Sequence, residues 1–302
     1  MTIRHFERPV PYTHVGRTAL AWTTRRRSGL VELGLILLLY IGYSASRLLA
    51  SDNLADAQAR AVRILDWEKA VGLDGESGLG HWFATHDLMG IMGSYYYAAG
   101  HYVVTATVLL VLYRRGGGHY VRARRALVTA TVLGLVMYLL LPTAPPRLSK
   151  MGYVDVLAQH ASAGWWGADA SAPKGLGGMT NELAAMPSLH AGWALWVAIV
   201  AIASGAKMHW RVLGVAHALI TAVVVVGTGN HWVSDVLVGW YIVLVAALIA
   251  WPREVRGPEG AATTPKRLTL SAPDGDRVVG LDGAVDMERS ADVEREHASS
   301  PG

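Results

Sequence analysis

The chain has 302 residues, of which 52% are hydrophobic and only 17% are charged, and its mean hydropathy is +0.29. A soluble protein usually carries about a quarter charged residues, so these values, with the apolar residues gathered in blocks, exclude a soluble globular domain. The absence of cysteine excludes disulfides, thiolate catalysis and cysteine metal sites. The net charge is +4, and the basic residues lie mainly in short loops, which favours a membrane protein over a nucleic-acid binder.

Six apolar blocks, each of about the length that crosses a bilayer core, predict six membrane-spanning helices. Helices are the expected structure because isolated strands leave backbone groups unpaired in lipid. The blocks cover residues 30–50, 94–113, 126–141, 190–204, 212–228 and 233–251. The predicted fold class is therefore an all-α integral membrane six-helix bundle.

Lys and Arg placement predicts the orientation of this bundle, because short cytoplasmic loops are enriched in both residues. Arg25–Arg27 precede the first block, and further basic residues lie at 114–125, 207–211 and 253–256. We expect these places to be cytoplasmic and the segments 51–93, 142–189 and 229–232 to face outward from a bacterial plasma membrane. The domains are then a cytoplasmic N-terminus (1–29), the membrane domain (30–251) and a cytoplasmic tail (252–302), whose polar composition predicts disorder.

The segment 51–93 is more than a simple loop. Apolar residues recur there at helical spacing among charged ones, which predicts an amphipathic helix lying on the membrane; a partner-binding helix is the alternative. The apolar positions are Leu54, Ala57, Ala61, Ile64, Leu65 and Val71, and the polar ones are Asp56, Arg60, Arg63 and Glu68. A second short helix is expected around His81–Leu88.

Three polar clusters fall at predicted outer ends of spans: residues 142–147, 187–190 and 230–235. In the last cluster, His231 and Asp235 are four residues apart, so both share one face if the turn at His231 is helical. A carboxylate bonded to one imidazole nitrogen leaves the other free. This pattern predicts a histidine nucleophile, although such pairs also occur by chance.

The other two clusters supply partners for a phosphate. Ser188 is a candidate helix cap before His190, and free N–H groups at a helix start bind phosphate. His190 would then protonate a leaving oxygen, while Arg147 can hold two phosphoryl oxygens. A capped helix with an interfacial histidine and a headgroup-anchoring arginine are the alternatives.

A histidine within a span marks a further candidate site. His101 lies inside the second block after three tyrosines, where an ionisable group is costly and often functional. With Tyr97 it is a candidate for the substrate pocket; a histidine bonded to a neighbouring helix, and tyrosines of an interfacial belt, are the alternatives.

These motifs resemble the type-2 phosphatidic acid phosphatase superfamily, whose pattern is K-x6-RP, PSGH and SR-x5-H-x3-D. Ala144–Arg147, Ala185–Trp193 with its PSLH, and Thr228–His231 are most similar to the inositol-phosphotransferase branch, which includes the fungal inositol phosphorylceramide synthases. The resemblance covers roughly residues 30–251. It implies a helical bundle without metal or cofactor.

The resemblance also implies residue roles. His231 would attack phosphorus, Asp235 would orient it, His190 would be the acid and base, and Arg147 would bind phosphate. Two family cations are missing, because Leu140 and Val225 occupy their positions. The candidates for compensation are Lys150, Lys174, Asn230 and the N–H groups before His190. Because a phosphodiester carries less charge than a monoester, this loss favours diester substrates.

The expected function is a lipid phosphotransferase or phosphatase acting on a phospholipid or polyprenyl-type phosphate, with inositol-phosphoryl transfer one form of it. The phospho-histidine step is common to hydrolysis and transfer, and the motif branch favours transfer. The expected partners are the lipid substrate and the membrane, with no nucleic acid. The alternatives are a non-catalytic lipid carrier or scaffold and, less favoured, a vanadate-dependent peroxidase.

Overall fold

The computed structural model describes residues 13–49, 53–166 and 181–251, and all regular structure in these ranges is helical. The ten α-helices there are α1 (Thr13–Leu49), α2 (Leu54–Val71), α3 (Glu76–Thr85), α4 (Asp87–Tyr95), α5 (His101–Arg115), α6 (Gly118–Leu140), α7 (Val156–Gln159), α8 (Leu189–Ala203), α9 (Met208–Gly227) and α10 (Val233–Ala250). The predicted tail 252–302, residues 1–12 of the predicted N-terminus and Lys174 lie outside the described residues.

Five helical stretches in the described chain are long and apolar enough to cross a membrane, which supports the predicted class of integral membrane protein. They are Gly29–Ser46, Asp87–Arg115, Gly118–Leu140, Met208–Gly227 and Val233–Ala250. Helix α8, the expected fourth span, is apolar but has only 15 residues, so its length alone does not establish a sixth crossing.

Two of the predicted spans begin too far along the chain. The second stretch begins at Asp87 rather than near residue 94, and the third begins at Gly118 rather than near residue 126. Hydropathy places a boundary where charged residues begin, yet the backbone remains helical there. In α6 this extension carries Arg124, which forms an ion pair with Glu32 of α1.

The segment 51–93 contains helix α2, whose buried face packs on protein. Ala57, Ala61 and Leu65 join a cluster with Ala185 and Trp232. Asn53 caps α2 by accepting the Asp56 N–H at 3.2 Å. Glu68, one of the polar positions of the predicted amphipathic helix, is 0% exposed, so this carboxyl group lies in the protein interior.

The interior is built around α8, which packs against α5, α6, α9 and α10. Helix α10 approaches the start of α8 closely because residue 239 is glycine. A Cβ atom at Gly239 would collide with the Ser188 carbonyl, and one at Gly192 would lie 3.2 Å from the Gly239 carbonyl oxygen. These contacts hold the polar starts of α8 and α10 side by side.

Candidate active site

The structure brings the two motif histidines together although they come from different elements. His190 lies in the first turn of α8, and His231 lies in the loop between α9 and α10. Their ring centroids are 5.5 Å apart. A single phosphorus atom between the rings could therefore be reached from both sides.

The orientation of the His231 ring is set by two acceptors. Its Nδ1 lies 2.8 Å from the Ala185 carbonyl oxygen and 3.5 Å from Oδ2 of Asp235. Because both neighbours can only accept, Nδ1 is assigned the proton. Nε2 is then the atom with a free lone pair, and it is buried without a hydrogen-bond partner among the described residues.

Asp235 has a second contact that its spacing from His231 does not reveal. Its Oδ2 accepts the Trp232 N–H at 2.8 Å, which closes the start of α10. Helix α10 begins at Val233, so the turn at His231 is not helical, contrary to the condition on which the shared face was predicted. The two side chains meet because the chain turns directly into the helix.

The start of α8 is fixed by Ser188. Its side-chain oxygen accepts the Ala191 N–H at 3.3 Å, so Ser188 is the N-cap of the helix. Its own N–H donates to the Asp235 carbonyl oxygen at 2.8 Å. One backbone hydrogen bond thus joins the helix that carries His190 to the helix that carries Asp235.

Besides His231, the rings of Tyr97, His101 and Tyr102 surround His190. Tyr97 stacks on it with ring centroids 4.6 Å apart and planes 18° apart, and His101 lies 4.1 Å from it. Tyr97 is 6% exposed and His101 is 2% exposed. A π-helical turn at Tyr96–Gly100 separates α4 from α5, and such turns shift the register that regular helical spacing assumes.

Arg147 and Asn230, two of the predicted phosphate ligands, contact each other. The Arg147 Nε donates to Asn230 Oδ1 at 3.1 Å. The other guanidinium nitrogens lie 3.5 Å from Asp155 and 3.6 Å from Glu182, distances that are long for ion pairs. Lys150 is exposed, and no hydrogen bond or ion pair joins it to another described residue.

A glycine allows the loop before His231 to pass close to the Arg147 loop. Gly229 has a φ of 75°, and a Cβ atom there would collide with the Val154 carbonyl oxygen. Its own carbonyl oxygen accepts the Arg147 N–H at 2.9 Å. A larger residue at position 229 would separate Arg147 from Asn230.

A groove of about 440 Å³ opens beside the site, between α2 and α10. It is lined by Arg60, Arg63, Ile64, Trp67, Leu141, Thr143, Met186, Ser234, Leu237 and Val238. The Arg60 Nη1 donates to the Pro142 carbonyl oxygen at 2.5 Å, whereas Arg63 is exposed and has no ion pair within the described residues. Two cations and apolar side chains thus border one opening.

Several contacts of the site were missed by sequence reasoning. The Ala185 carbonyl is a backbone group, and no residue pattern marks it. Asp155 and Glu182, the acidic neighbours of Arg147, lie in irregular segments without periodicity. Arg60 and Arg63 were placed on a polar helix face, and only the packing of α2 shows that this face borders the site.

Taken together, the apolar helices and the paired histidines define an integral membrane protein with a two-imidazole site, in which His231 is buried and His190 is half-buried. The family model described as the PAP2 superfamily matches residues 62–249, more than half of the chain, and the protein belongs to that superfamily. Its members are phosphatases and phosphotransferases. No curated protein and no solved structure matches the chain significantly.

Proposed function

We propose that the protein transfers a phosphoryl or phosphodiester group from a membrane lipid through a covalent intermediate on His231. The observation that carries this proposal is the pairing of His190 and His231, with ring centroids 5.5 Å apart and the His231 Nε2 buried without a partner among the described residues. A positioned imidazole with a free lone pair is a competent nucleophile.

In the first step the His231 Nε2 forms a bond to phosphorus as the bond to the leaving oxygen breaks. His190 gives its proton to that oxygen. In the second step His190 removes a proton from the acceptor hydroxyl, the acceptor oxygen bonds to phosphorus, and the bond to Nε2 breaks. Charge developing on His231 is stabilised by the Ala185 carbonyl and by Asp235.

Arg147, Asn230, Ser188 and the first N–H groups of α8 are the proposed phosphate ligands. Arg147 is only loosely held by its two acidic neighbours, so a phosphate can compete for its guanidinium. Lys150 is proposed as a solvent-exposed cation that attracts the headgroup. His101 and Tyr97, which contact His190, are proposed to line the substrate pocket.

The substrate class follows from the charge of the site. With Leu140 and Val225 in place of two family cations, a phosphodiester fits better than a doubly charged monoester. We favour transfer over hydrolysis, and the inositol-phosphotransferase branch over others, on the PSLH motif. We also propose six crossings, with α8 as the fourth, and an outward-facing site.

The experiment is turnover by purified protein in bilayer discs, supplied with polyprenyl, glycerol and inositol phospholipids and read by mass spectrometry. His231→Ala should lower turnover by roughly a thousandfold or more, as for other covalent catalytic residues. The matched control is His209→Ala, an exposed histidine at the start of α9, which should keep normal turnover.

Three results would count against the proposal. Normal turnover by the His231→Ala protein would exclude His231 as the nucleophile, and lipid movement without turnover in the wild type would indicate a carrier. Exclusive activity on monoesters would contradict the diester preference while leaving the histidine mechanism intact.

A further inference from the structure

The first turn of α10 lacks an ordinary side-chain cap. Its N-cap residue is Trp232, whose indole can only donate a hydrogen bond and does so to the Ala144 carbonyl oxygen at 2.9 Å. The first N–H groups of a helix have no partner within the helix. Those of Val233 and Ser234 therefore need acceptors from elsewhere in the chain.

Two buried glutamates from the outer segment supply these acceptors. Oε1 of Glu68, in α2, accepts from both the Ser234 N–H and the Ser234 hydroxyl at 2.6 Å. Oε1 of Glu76, in α3, accepts the Val233 N–H at 3.0 Å. The two glutamates are 0% and 1% exposed. The turn they hold contains Asp235 and directly follows His231.

The two glutamates also adjoin each other. Oε2 of each is buried without a hydrogen-bond partner among the described residues. Burial raises the pKa of Glu68 to about 8, and the neighbouring Glu76 adds to this rise, while the hydrogen bonds from Ser234 oppose it. Two close buried carboxyls are costly to ionise together. A proton on Glu68 removes this cost.

We propose that Glu68 and Glu76 act as positioning residues, which hold the first turn of α10 so that Asp235 and His231 stay aligned. This inference rests on the reaction proposed above. Neither glutamate touches the reacting phosphate. Their effect passes through Val233 and Ser234 to the residues on either side.

Observing the titration of Glu68 requires that the groups facing it do not ionise in the same pH range. These groups are Glu76 from α3, Ser234 from α10 and Tyr153 from the loop after α6, while Asp235 faces Glu76. Burial, with added effects of Glu76, Glu68 and Asp74, raises the pKa of Tyr153 to about 12, so Tyr153 stays neutral while Glu68 ionises. Above pH 8 the negative charge on Glu68 would then face the neighbouring Glu76 and loosen the turn.

The test compares Glu68→Gln and Glu68→Ala with the wild-type enzyme across pH 6 to 10. The glutamine side chain keeps an acceptor for Ser234 and offers Glu76 an N–H. At pH 6.5 the kcat of the Glu68→Gln enzyme should therefore stay within about twofold of wild type. Alanine removes the acceptor and should lower kcat by roughly tenfold or more with KM little changed, because substrate groups are untouched.

The pH profile separates positioning from a merely structural role. Wild-type kcat should fall at least about threefold between pH 8 and pH 9.5, and Glu68→Gln should lack this fall. The matched control is Asp66→Asn, an exposed carboxylate on the same helix, which should keep the wild-type profile.

Identical alkaline profiles in wild type and Glu68→Gln would overturn the proposal, even if the alanine variant fails to fold. Failure of the proposed function looks different, because the wild type would then show no turnover that depends on His231.

Discussion

At the scale of single residues, the site has two orienting acceptors for His231 rather than the one that its motif names. The Ala185 carbonyl oxygen is the nearer, at 2.8 Å, and Asp235 is at 3.5 Å. A backbone carbonyl cannot be removed by a side-chain substitution. Mutagenesis of Asp235 should therefore understate how strongly the ring is held.

This difference predicts the effect of Asp235→Asn. In a triad whose imidazole depends on one carboxylate, the same change costs about 10⁴-fold in kcat. Here Ala185 still selects the Nδ1–H tautomer, so we expect a loss of only about 10- to 100-fold. Single-turnover rates for Asp235→Asn and His231→Ala, measured side by side, test this. Equal losses in the two variants would show that Asp235 alone orients the ring.

Arg63 offers a residue-scale test of the groove. It is exposed beside Trp67, Leu141 and Leu237, so it can bind a headgroup without taking part in the chemical step. Arg63→Gln should raise KM by about 3- to 10-fold and leave kcat nearly unchanged, the pattern expected when binding is lost equally in ground and transition states. Lys69→Gln, on the same helix but outside the groove, is the control. A lowered kcat with unchanged KM would contradict this role.

At the scale of elements, glycines decide how closely the site helices approach. Gly239→Ala should push α10 away from Ser188, lowering the melting temperature by several degrees, since overpacking costs about 1–3 kcal/mol. Gly78→Ala, in α3, has nothing within 4 Å of its added Cβ and should be neutral or slightly stabilising. Thermal unfolding in detergent distinguishes the two. Equal melting temperatures would mean that the α8–α10 contact can relax.

The contact between α2 and α10 predicts how stability depends on pH. The pKa of Glu68 is about 8 in the folded chain against an ordinary 4.5, so between these values the folded chain binds more protons than the unfolded one. Its free energy of unfolding should fall as pH rises through this window and level off above pH 8. Between pH 5 and pH 8 the melting temperature of the Glu68→Gln protein should fall less than that of the wild type. Parallel curves would show that Glu68 is not buried as described.

The same contact shows where sequence reasoning stops. Helical periodicity predicted a helix in the segment that contains α2, because periodicity depends on local geometry. The spacing of His231 and Asp235 predicted a helical turn at His231 that the structure does not have, since α10 begins at Val233. The burial of Glu68 depends on a partner 166 residues away, and a single sequence gives no signal for it. The π-helical turn at Tyr96–Gly100 likewise interrupts the regular helical spacing that a prediction from sequence assumes. This turn places Tyr97 and His101 against His190.

At the scale of the whole molecule, topology determines on which side of the membrane the lipid is processed. Helix α8 has 15 residues, fewer than the roughly 20 that span a bilayer core. Ser188 nevertheless caps the start of α8 beside α10, and Arg147 packs at the same end through its contact with Asn230. If α8 crosses, its C-terminal end and the start of α9 lie on the side opposite the histidine pair.

Single-cysteine labelling can decide this, since the natural chain has no cysteine and so gives no background. With six crossings, a membrane-impermeant maleimide applied to intact cells should label Asp56→Cys in α2. It should leave His119→Cys and His209→Cys unlabelled until the cells are lysed. All three positions are exposed, and none is a basic residue that sets orientation. Labelling of His209→Cys in intact cells, with His119→Cys protected, would mean that α8 enters and leaves on one side and that only five helices cross.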